Sequence, residues 1–322
     1  MHWKINIFLF FGFLFLACKE NTSDSTKEKD VSTNFSEEKY TTPYLIEAEA
    51  LKHKIFNPNV KILDFRKKKN YLDGHIEGAR HLWRSDIEDT LGPYGGMMAS
   101  KEIIERLMGR LGVKNIDTLV IYDDRGSCDA VRLWWILQNY DFHNVKILNG
   151  GIDAWKAMKE KVDTVVTIIE PTVFKLAEVA SNNMLATKEE VIHAASLSSN
   201  TMILDTRTRD EYSGKRQKKG ASKGGRIPSS RFINWEDAVN FDDQKKLKSI
   251  EELQYIYGQL DLAKSDTVIV YCHSGVRSAH TTFVLKELLG YKNVKNYDGS
   301  WIEWSYFDEL PFEQDSETLI KN

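Results

Sequence analysis

One of the three cysteines, Cys272, stands where an apolar run of strand type gives way to a tight loop and a helical pattern. The five residues before it, Thr267–Tyr271, are apolar or β-branched throughout, which is typical of a parallel strand covered on both faces. Gly275 permits a tight loop whose backbone N–H groups converge, and the following helix N-terminus and Arg277 add positive charge. Because such surroundings lower the pKa of a thiol from its ordinary value of about 8.5, we expect a nucleophilic thiolate that can hold an anionic adduct.

The chain contains an internal duplication that includes this cysteine. Three segments recur in the same order: Leu63–Arg66 as Leu204–Arg207, Val120–Asp123 as Ile269–Cys272, and Asn149–Trp155 as Asp298–Trp304. The offset is 141 residues for the first pair and 149 for the other two, so the second copy carries about eight extra residues between its first two segments. Repeats of this length are whole domains rather than solenoid units.

Each copy alternates short apolar runs with helical patterns, which predicts an α/β fold with a mostly parallel sheet. The predicted strands are Val60–Phe65, Leu119–Tyr122 and Val145–Leu148 in the first copy, and Met202–Leu204, Thr267–Tyr271 and Val294–Tyr297 in the second. The predicted helices include one with apolar spacing from Ile103 to Leu111, two opened by capping boxes (Thr187 with Glu190, Ser249 with Glu252), and one over Ala279–Leu289. Ligands in such folds bind beyond the carboxyl ends of strands, so the residues after Tyr122 and Tyr271 are the candidates for chemistry.

Taken together, these motifs resemble the tandem-domain rhodaneses, a family of sulfurtransferases. The resemblance is carried in the second copy by Leu204–Arg207, Glu211-Tyr212, Gly224–Pro228, Asn234-Trp235, the Cys272 loop and Asp298–Trp304, and in the first copy by Gly74–Ala79 and Arg132–Trp135. It covers roughly residues 43–310 and implies two rhodanese-like domains, each a mostly parallel sheet flanked by helices. One departure is Ser229–Arg231, which follows the proline where the family usually has Gly-Ala.

The resemblance also implies roles for individual residues. Cys272 matches the sulfur-accepting cysteine, which cycles between thiolate and persulfide. The loop residues that match the substrate-binding cradle around the terminal sulfur are His273, Ser274, Gly275, Val276 and Arg277. Arg207 matches an arginine that helps to bind the anionic donor, with Asp205 orienting it, and the alternative for these two residues is a structural ion pair at the strand end.

The first copy has Asp123 where the second has Cys272. Aspartate cannot form a persulfide, so we expect the first domain to be catalytically silent, and the resemblance implies that it packs against the second domain and helps to form the cleft. Cys128 lies five residues beyond Asp123. It could act as a resolving thiol, but the favoured interpretation is a packed free cysteine.

We therefore expect a sulfurtransferase that moves sulfane sulfur from a small anionic donor to cyanide or a thiol, with no metal or organic cofactor. In the family that this chain resembles, a basic loop goes with thiosulfate and a small loop with 3-mercaptopyruvate. Because Arg277 adds charge for a dianion, we expect thiosulfate as the donor, with 3-mercaptopyruvate, which Ser274–Val276 favours, as the alternative. A Cys-based phosphatase or arsenate reductase would place an arginine six residues after the cysteine, but Arg277 is five residues after Cys272 and Ser278 holds the sixth position. A Cys-His-Asn hydrolase is disfavoured because His273 is adjacent to the thiol. An intact cysteine loop also disfavours a non-catalytic binding module of the envelope.

Charge gives no support for nucleic-acid binding. Lys plus Arg number 44 and Asp plus Glu 47, for a net charge of −3. The segment Lys215–Arg231 contains seven basic residues and no acidic one, which favours a solvated loop or a basic rim that draws small anions toward the cleft. Three cysteines cannot form a disulfide framework.

The N-terminal residues are typical of a targeting signal rather than of a fold. Lys4 precedes a short apolar run that ends at Ala17, and the next residue, Cys18, resembles the lipidated cysteine of bacterial lipoproteins. Residues 18–42 have few apolar groups and indicate a flexible tether. We expect an export signal over residues 1–17, lipidation of Cys18 that holds the chain on a membrane of the bacterial cell envelope, and domains over 43–165 and 180–312.

Overall fold

The computed structural model describes residues 40–196 and 200–315. The expected export signal, Cys18 and nearly all of the expected tether lie outside the described residues. Within the part of the chain that is described, no helix has the length and apolar character needed to cross a membrane.

Two five-stranded sheets share one topology. The first contains β1 (Leu45–Ile46), β2 (Val60–Asp64), β3 (Arg80–His81), β4 (Thr118–Tyr122) and β5 (Val145–Leu148), in the order β1-β5-β4-β2-β3. The second contains β6 (Leu185–Ala186), β7 (Met202–Asp205), β8 (Arg231–Phe232), β11 (Thr267–Tyr271) and β12 (Asn293–Tyr297), in the order β6-β12-β11-β7-β8. Every pairing in both sheets is parallel, and a small antiparallel hairpin, β9 (Val239–Asn240) with β10 (Lys246–Leu247), lies between β8 and β11 in the chain. The matching strand orders confirm the duplication and the α/β fold; we call the halves built on these sheets the first and second copy.

Helices connect the strands in both copies. In the first copy they are α1 (Ala48–Lys52), α2 (Lys68–Asp73), α3 (Lys101–Arg110), α4 (Cys128–Asn139) and α5 (Gly151–Ala157), with a 3₁₀ turn at Arg84–Asp86. In the second they are α6 (Lys188–Ala194), α7 (Arg209–Ser213), α8 (Ile250–Gly258), α9 (Val276–Phe283) and α10 (Ser300–Tyr306), with a 3₁₀ turn at Trp235–Ala238. The predicted helix from Ile103 is confirmed as α3, and both predicted capping boxes are present, at the starts of α6 and α8.

The predicted helix over Ala279–Leu289 has the wrong start. Helix α9 begins at Val276, and after Phe283 the chain continues as one π-helical turn, Val284–Leu288. Residues that the sequence analysis assigned to the loop therefore form the first turn of the helix. The turn predicted to hold an anion is therefore also the helix N-terminus, where the N–H groups of the first turn have no partner within the helix.

The two copies meet through the helices that follow their central strands. All twelve residues of α4 are buried, and α9 packs directly against α4. At their contact the rings of Trp134 and Phe283 meet edge to face with centroids 4.9 Å apart. Both central strands therefore end close to the boundary between the copies, and each strand-to-helix loop is within reach of side chains from the other copy.

The extra residues of the second copy lie between α7 and Gly225. In the first copy Arg66 donates to the carbonyl of Gly74, eight residues further on. The equivalent bond in the second copy joins Arg207 to Gly225, eighteen residues further on. The additional chain is the basic part of the Lys215–Arg231 segment, here called the basic insertion (residues 215–224).

Candidate active site

Cys272 lies at the carboxyl end of β11, the middle strand of the second sheet. The strand pairs with β12 on one side and β7 on the other, and its buried, β-branched side chains fix its position in the core. The cysteine is 1% exposed. The sulfur is thus buried at the end of the strand, against the turn that follows it.

The first turn of α9 surrounds the sulfur with hydrogen-bond donors. The hydroxyl of Ser278 lies 3.3 Å from the Cys272 sulfur, and the backbone N–H groups of Ser274 and Ser278 act in the same direction by lowering the pKa of the thiol. Gly275 has a φ of +73°, and a Cβ there would come within 2.7 Å of the Asp298 carbonyl oxygen. Glycine at this position therefore lets the loop turn tightly enough for its N–H groups to converge.

These donors decide the protonation state of Cys272. Burial by itself raises the pKa of the thiol, but the positive charge of Arg277 and the hydrogen bonds from Ser278 and Ser274 outweigh it, and the net effect lowers the pKa. A lowered pKa increases the thiolate fraction near neutral pH, and the thiolate is the nucleophilic form.

Arg277 points to an acid of the second copy. Its Nη1 and Nη2 atoms each lie 2.8 Å from an oxygen of the Glu211 carboxylate, in a bidentate pair. Burial raises the pKa of Glu211, but the pairing with Arg277 more than reverses this, so the net effect lowers it and Glu211 stays ionised. Arg277 thus acts on Cys272 through its charge, while Glu211 neutralises part of that charge and fixes the guanidinium in place.

The side chains of His273 and Val276 turn away from the sulfur. His273 is 5% exposed, its Nε2 lies 3.0 Å from the carbonyl oxygen of Lys219, and burial together with nearby Lys218 lowers its pKa to about 4. The neutral ring anchors the basic insertion. Val276 packs in an apolar cluster with Cys128 and Trp235. Of the residues predicted to surround the terminal sulfur, His273 and Val276 therefore provide backbone groups of the loop, while their side chains make contacts elsewhere.

Ser300 is a site residue that the sequence analysis quoted only as part of a motif. It is fully buried with a φ of +50°, which is rare for a residue with a side chain. Its hydroxyl oxygen accepts the N–H of Cys272 at 3.1 Å and of Gly275 at 3.0 Å, and its hydrogen goes to the Tyr297 carbonyl at 2.7 Å. Ser300 therefore links the N–H groups at both ends of the loop. The sequence offers one signal for this role: the first copy has Gly151 at the position of Ser300 in the closing motif.

The structure favours the structural alternative for Arg207 and Asp205. Arg207 is 1% exposed, its Nη2 lies 2.6 Å from the Asp205 carboxylate, and its guanidinium packs 4.8 Å from the centroid of the Trp301 ring. The first copy has the same pair, Arg66 with Asp64, also at 2.6 Å and also buried. A pair present in both copies fastens the strand end to the next segment, and the expected donor contact of Arg207 finds no support in this geometry.

A model of the rhodanese-like domain matches the chain twice, over residues 47–158 and 189–306. The chain belongs to the rhodanese family. The matched ranges lie inside the expected domains, 43–165 and 180–312, whose exact ends stay predictions.

Two curated rhodanese relatives align with most of the chain. A thiosulfate sulfurtransferase of Corynebacterium glutamicum is 32% identical over 290 residues, which is 87% of this chain and 94% of that protein. The sulfur carrier protein TtuD of Thermus thermophilus is 31% identical and covers 85% of this chain and 97% of its own. Among solved structures, the 3-mercaptopyruvate sulfurtransferase SseA of Escherichia coli superposes with a TM-score of 0.70 at 25% identity, covering 80% of this chain and 98% of that one.

The first rhodanese copy fills its loop with its own carboxylate. Asp123, at the position equivalent to Cys272, is 1% exposed. Its two oxygens accept four backbone N–H groups, those of Arg125, Ser127, Asp129 and Ala130, at 2.7–3.0 Å. The loop backbone of this copy is thus an occupied anion site, in which burial and the charge of Asp129 raise the pKa of Asp123 to about 6 against the opposing effect of the N–H groups.

Cys128 has surroundings opposite to those of Cys272. It is fully buried, and burial followed by the negative charge of Asp129 raises its pKa well above the ordinary value of a thiol. It lies in the same apolar cluster as Trp235 and Val239. A buried, protonated thiol of this kind is inert, which agrees with the favoured interpretation of a packed cysteine.

The basic insertion is the part of the rhodanese site that the first copy lacks. Lys218 is an exposed residue whose charge interacts with that of Cys272. Partial desolvation and the charge of Arg277 lower the pKa of Lys218, while Glu211 and Cys272 act in the opposite direction. Lys223 anchors the insertion, since its ammonium group donates to the carbonyls of Phe307 and Asp308 in the segment after α10. The additional chain thus places a positive charge, that of Lys218, within electrostatic range of Cys272.

Proposed function

We propose that this rhodanese is a sulfurtransferase that moves sulfane sulfur from thiosulfate to cyanide or a thiol through a persulfide on Cys272. The observation that carries the proposal is the Cys272 sulfur with its lowered pKa, held by the first turn of α9. The names of the curated relatives, a thiosulfate sulfurtransferase and a sulfur carrier protein, support the same activity.

The reaction has two balanced steps. The Cys272 thiolate attacks the outer sulfur of thiosulfate, a new S–S bond forms, and the original S–S bond breaks with its electron pair leaving on sulfite. The resulting persulfide anion then gives its terminal sulfur to cyanide, which leaves as thiocyanate, or to a thiol, and the thiolate is regenerated. Each step is a displacement at sulfur in which no electrons pass to or from a third group, so neither step requires a redox cofactor.

The first copy supports the idea that the loop can hold the persulfide. Its four N–H donors bind the Asp123 carboxylate. The offset of 149 residues places Ser274, Val276, Ser278 and Ala279 at the same four positions in the second copy. N–H groups that are already oriented toward an anion need no rearrangement as charge develops, which is how such loops lower a reaction barrier.

We propose thiosulfate as the sulfur donor because of the positive charge near Cys272. Thiosulfate is a dianion, and Lys218 and Arg277 both lie close enough to Cys272 to act on its charge. The second candidate is 3-mercaptopyruvate, a monoanion at its carboxylate. The Glu211 carboxylate favours it, because pairing with Arg277 leaves less positive charge for a dianion, and SseA is named for that donor.

Phosphatase or arsenate-reductase chemistry is disfavoured by the direction of Arg277. Both terminal nitrogens of its guanidinium are bound to Glu211. A tetrahedral oxyanion would need that guanidinium turned into the loop. The loop provides N–H groups around one sulfur atom instead.

We also propose that the protein works at the cell envelope, held by a lipid on Cys18. The support is the sequence pattern of a short apolar run followed by Ala17 and Cys18. Expression of the full chain and of Cys18→Ala in a bacterial host, followed by membrane fractionation and mass spectrometry of the N-terminal peptide, tests it. A wild-type chain that fractionates like the variant and carries no acyl group contradicts the proposal.

The catalytic proposal is tested with the full chain. We expect incubation with thiosulfate to add the mass of one sulfur atom to the Cys272 peptide, and subsequent cyanide to remove it as thiocyanate. Steady-state kcat/KM for thiosulfate and for 3-mercaptopyruvate then decides the donor. Folded protein that gains no sulfur from either donor overturns the proposed function.

A further inference from the structure

A buried arginine of the first copy reaches into the loop that carries the nucleophile in the second. Arg132 lies on α4 and is 1% exposed. Its Nη2 lies 2.6 Å from Oδ1 of Asp298, and its Nη1 donates to the carbonyl oxygen of Gly275 at 3.3 Å. The same guanidinium also donates to the carbonyl of Gly96 at 3.1 Å. One side chain thus joins two parts of the catalytic loop region to the first copy.

Two further contacts from the first copy converge on the same region. The N–H of Met98 donates to Oδ2 of Asp298 at 2.8 Å. Gly96 lies so close to the loop that a Cβ on it would come within 2.5 Å of the Cβ of Ser274. The backbone N–H of Ser274 contributes to the lowered pKa of Cys272. The first copy therefore contacts, at Gly96, a residue that acts on the thiol.

The ion pair between Arg132 and Asp298 has no equivalent at the pseudo-symmetric positions of the two copies. The offset of 149 residues pairs Met98 and Asp298 with Leu247 and Asn149, and the Leu247 N–H does donate to the Asn149 side chain at 3.0 Å. The same offset pairs Arg132 with Thr281, which is uncharged. A charged side chain is costly to bury and must be compensated by close partners. This one is buried on the side that faces Cys272.

We propose that Arg132 is a positioning residue of the silent copy, which fixes the Gly275 carbonyl and Asp298 so that the loop N–H groups stay directed at the Cys272 sulfur. The inference deepens the proposed function and rests on it for its consequence in turnover. Its geometric consequence, a more acidic thiol, holds whatever reaction the thiol performs. The role depends on the forked shape of the guanidinium as well as its charge, because its two terminal nitrogens contact Asp298 and the carbonyls of Gly275 and Gly96 together.

The test compares the full chain with Arg132→Lys, which keeps the charge and loses the fork, and with Arg132→Met. The matched control is Asn149→Ala, which removes the pseudo-symmetric contact between the copies on the side away from Cys272. The first readout is the pH dependence of iodoacetamide alkylation, followed on the Cys272 peptide by mass spectrometry. The second is kcat and KM for sulfur transfer from thiosulfate to cyanide, with Tm recorded for each variant.

We expect both Arg132 variants to move the alkylation midpoint upward by about one pH unit and to lower kcat about tenfold, with KM changed less than about threefold. Asn149→Ala is expected to lower Tm without moving the midpoint. An unmoved midpoint in Arg132→Lys and Arg132→Met, with Tm lowered as in the control, reduces Arg132 to a structural contact and overturns the inference.

If the Arg132 variants do not fold, Gly96→Ala takes their place. Its methyl group pushes on Ser274 from the same side, so the same upward shift is expected, and an unmoved midpoint again overturns the inference. The two proposals fail separately. A shifted midpoint in a protein that transfers no sulfur leaves the positioning role standing and removes the function, whereas normal transfer with an unmoved midpoint does the reverse.

Discussion

The loop after β4 and the loop after β11 have the same architecture but contain different residues. Each follows the central strand of a five-stranded parallel sheet and leads into a helix buried between the copies. In the first, the Asp123 carboxylate satisfies four N–H groups. In the second, Cys272 stands at that position with a lowered pKa. The backbone therefore provides the anion site, and one side chain decides whether the site is already filled or available for chemistry.

The neighbours of the two loops differ in sign of charge. The position of Arg277 in the second copy is held by Cys128 in the first, and that of Ser278 by Asp129. A cation beside Cys272 favours its thiolate, while an anion beside Cys128 favours the thiol. Two buried cysteines in one chain thus have opposite pKa shifts, and burial is the cause they share.

The largest expected difference between the two copies is the effect of replacing each cysteine in turn. Cys272→Ser is expected to lower kcat for sulfur transfer by about 10³-fold or more, because a serine hydroxyl cannot form the persulfide. Cys128→Ser is expected to stay within about twofold of wild type, since that thiol is protonated and buried, and to cost about 1 kcal/mol of unfolding free energy for the buried hydroxyl. Thiocyanate release and thermal unfolding measure both effects. Comparable losses of activity in the two variants, with folding intact, would falsify the single-nucleophile mechanism.

The next change makes the second loop more like the first. Ser300→Gly removes the hydroxyl that accepts the N–H groups of Cys272 and Gly275 and restores the residue type that Gly151 has in the first copy. Glycine tolerates the positive φ, so we expect Tm to change little. We expect kcat/KM for thiosulfate to fall about tenfold to hundredfold, because two loop N–H groups lose their partner. An unchanged kcat/KM would show that the loop keeps its shape without the serine.

The charge beside the sulfur is tested through pH. The thiolate is the reactive form, so alkylation of Cys272 is complete above its pKa and falls as pH drops through that pKa. Arg277→Gln removes the cation, and we expect the fall to move to higher pH by about one to two units. Glu211→Gln removes the anion that faces Arg277, and we expect a shift to lower pH or none. Shifts in the same upward direction for both variants would mean that the ion pair acts by shape rather than charge.

Local patterns were sufficient for the three longer strands of each copy, and they predict Cys272 as the nucleophile. The two-residue strands β1, β3, β6 and β8 were not predicted, because so short a run carries no periodic signal. The runs Val145–Leu148 and Thr267–Tyr271 were predicted with the bounds that the structure has, because buried parallel strands are continuous apolar runs. The loop after Tyr271 was predicted as an anion site from Gly275, Arg277 and the start of a helix directly after the loop. The helix start was placed three residues too late, at Ala279 rather than Val276, since residues typical of the loop also form the first helical turn.

Long-range partners were not predictable in this way. Arg132 was quoted as part of a motif, but its contacts with Gly275 and Asp298 cross 143 and 166 residues and depend on how two domains pack. For Arg207 the sequence did hold a signal, because Asp-x-Arg occurs in both copies. A pattern shared by both copies indicates structure, whereas we expect the chemistry at the positions where the copies differ.

The basic insertion is present in the second copy and absent from the first, and we expect it to have the smallest effect on sulfur transfer. Lys218→Ala removes a surface charge near Cys272, and we expect KM for thiosulfate to rise about threefold at low salt with kcat unchanged, since exposed charges contribute about 1 kcal/mol or less. The matched control is Lys215→Ala in the same insertion, whose ammonium group lies 3.8 Å from the Asp210 carboxylate and should leave KM unchanged. Because thiosulfate carries more charge than 3-mercaptopyruvate, the effect of Lys218→Ala should be larger for thiosulfate and should disappear at high salt. An equal rise in KM for Lys218→Ala and Lys215→Ala would show that the insertion attracts anions in general rather than through a defined contact near Cys272.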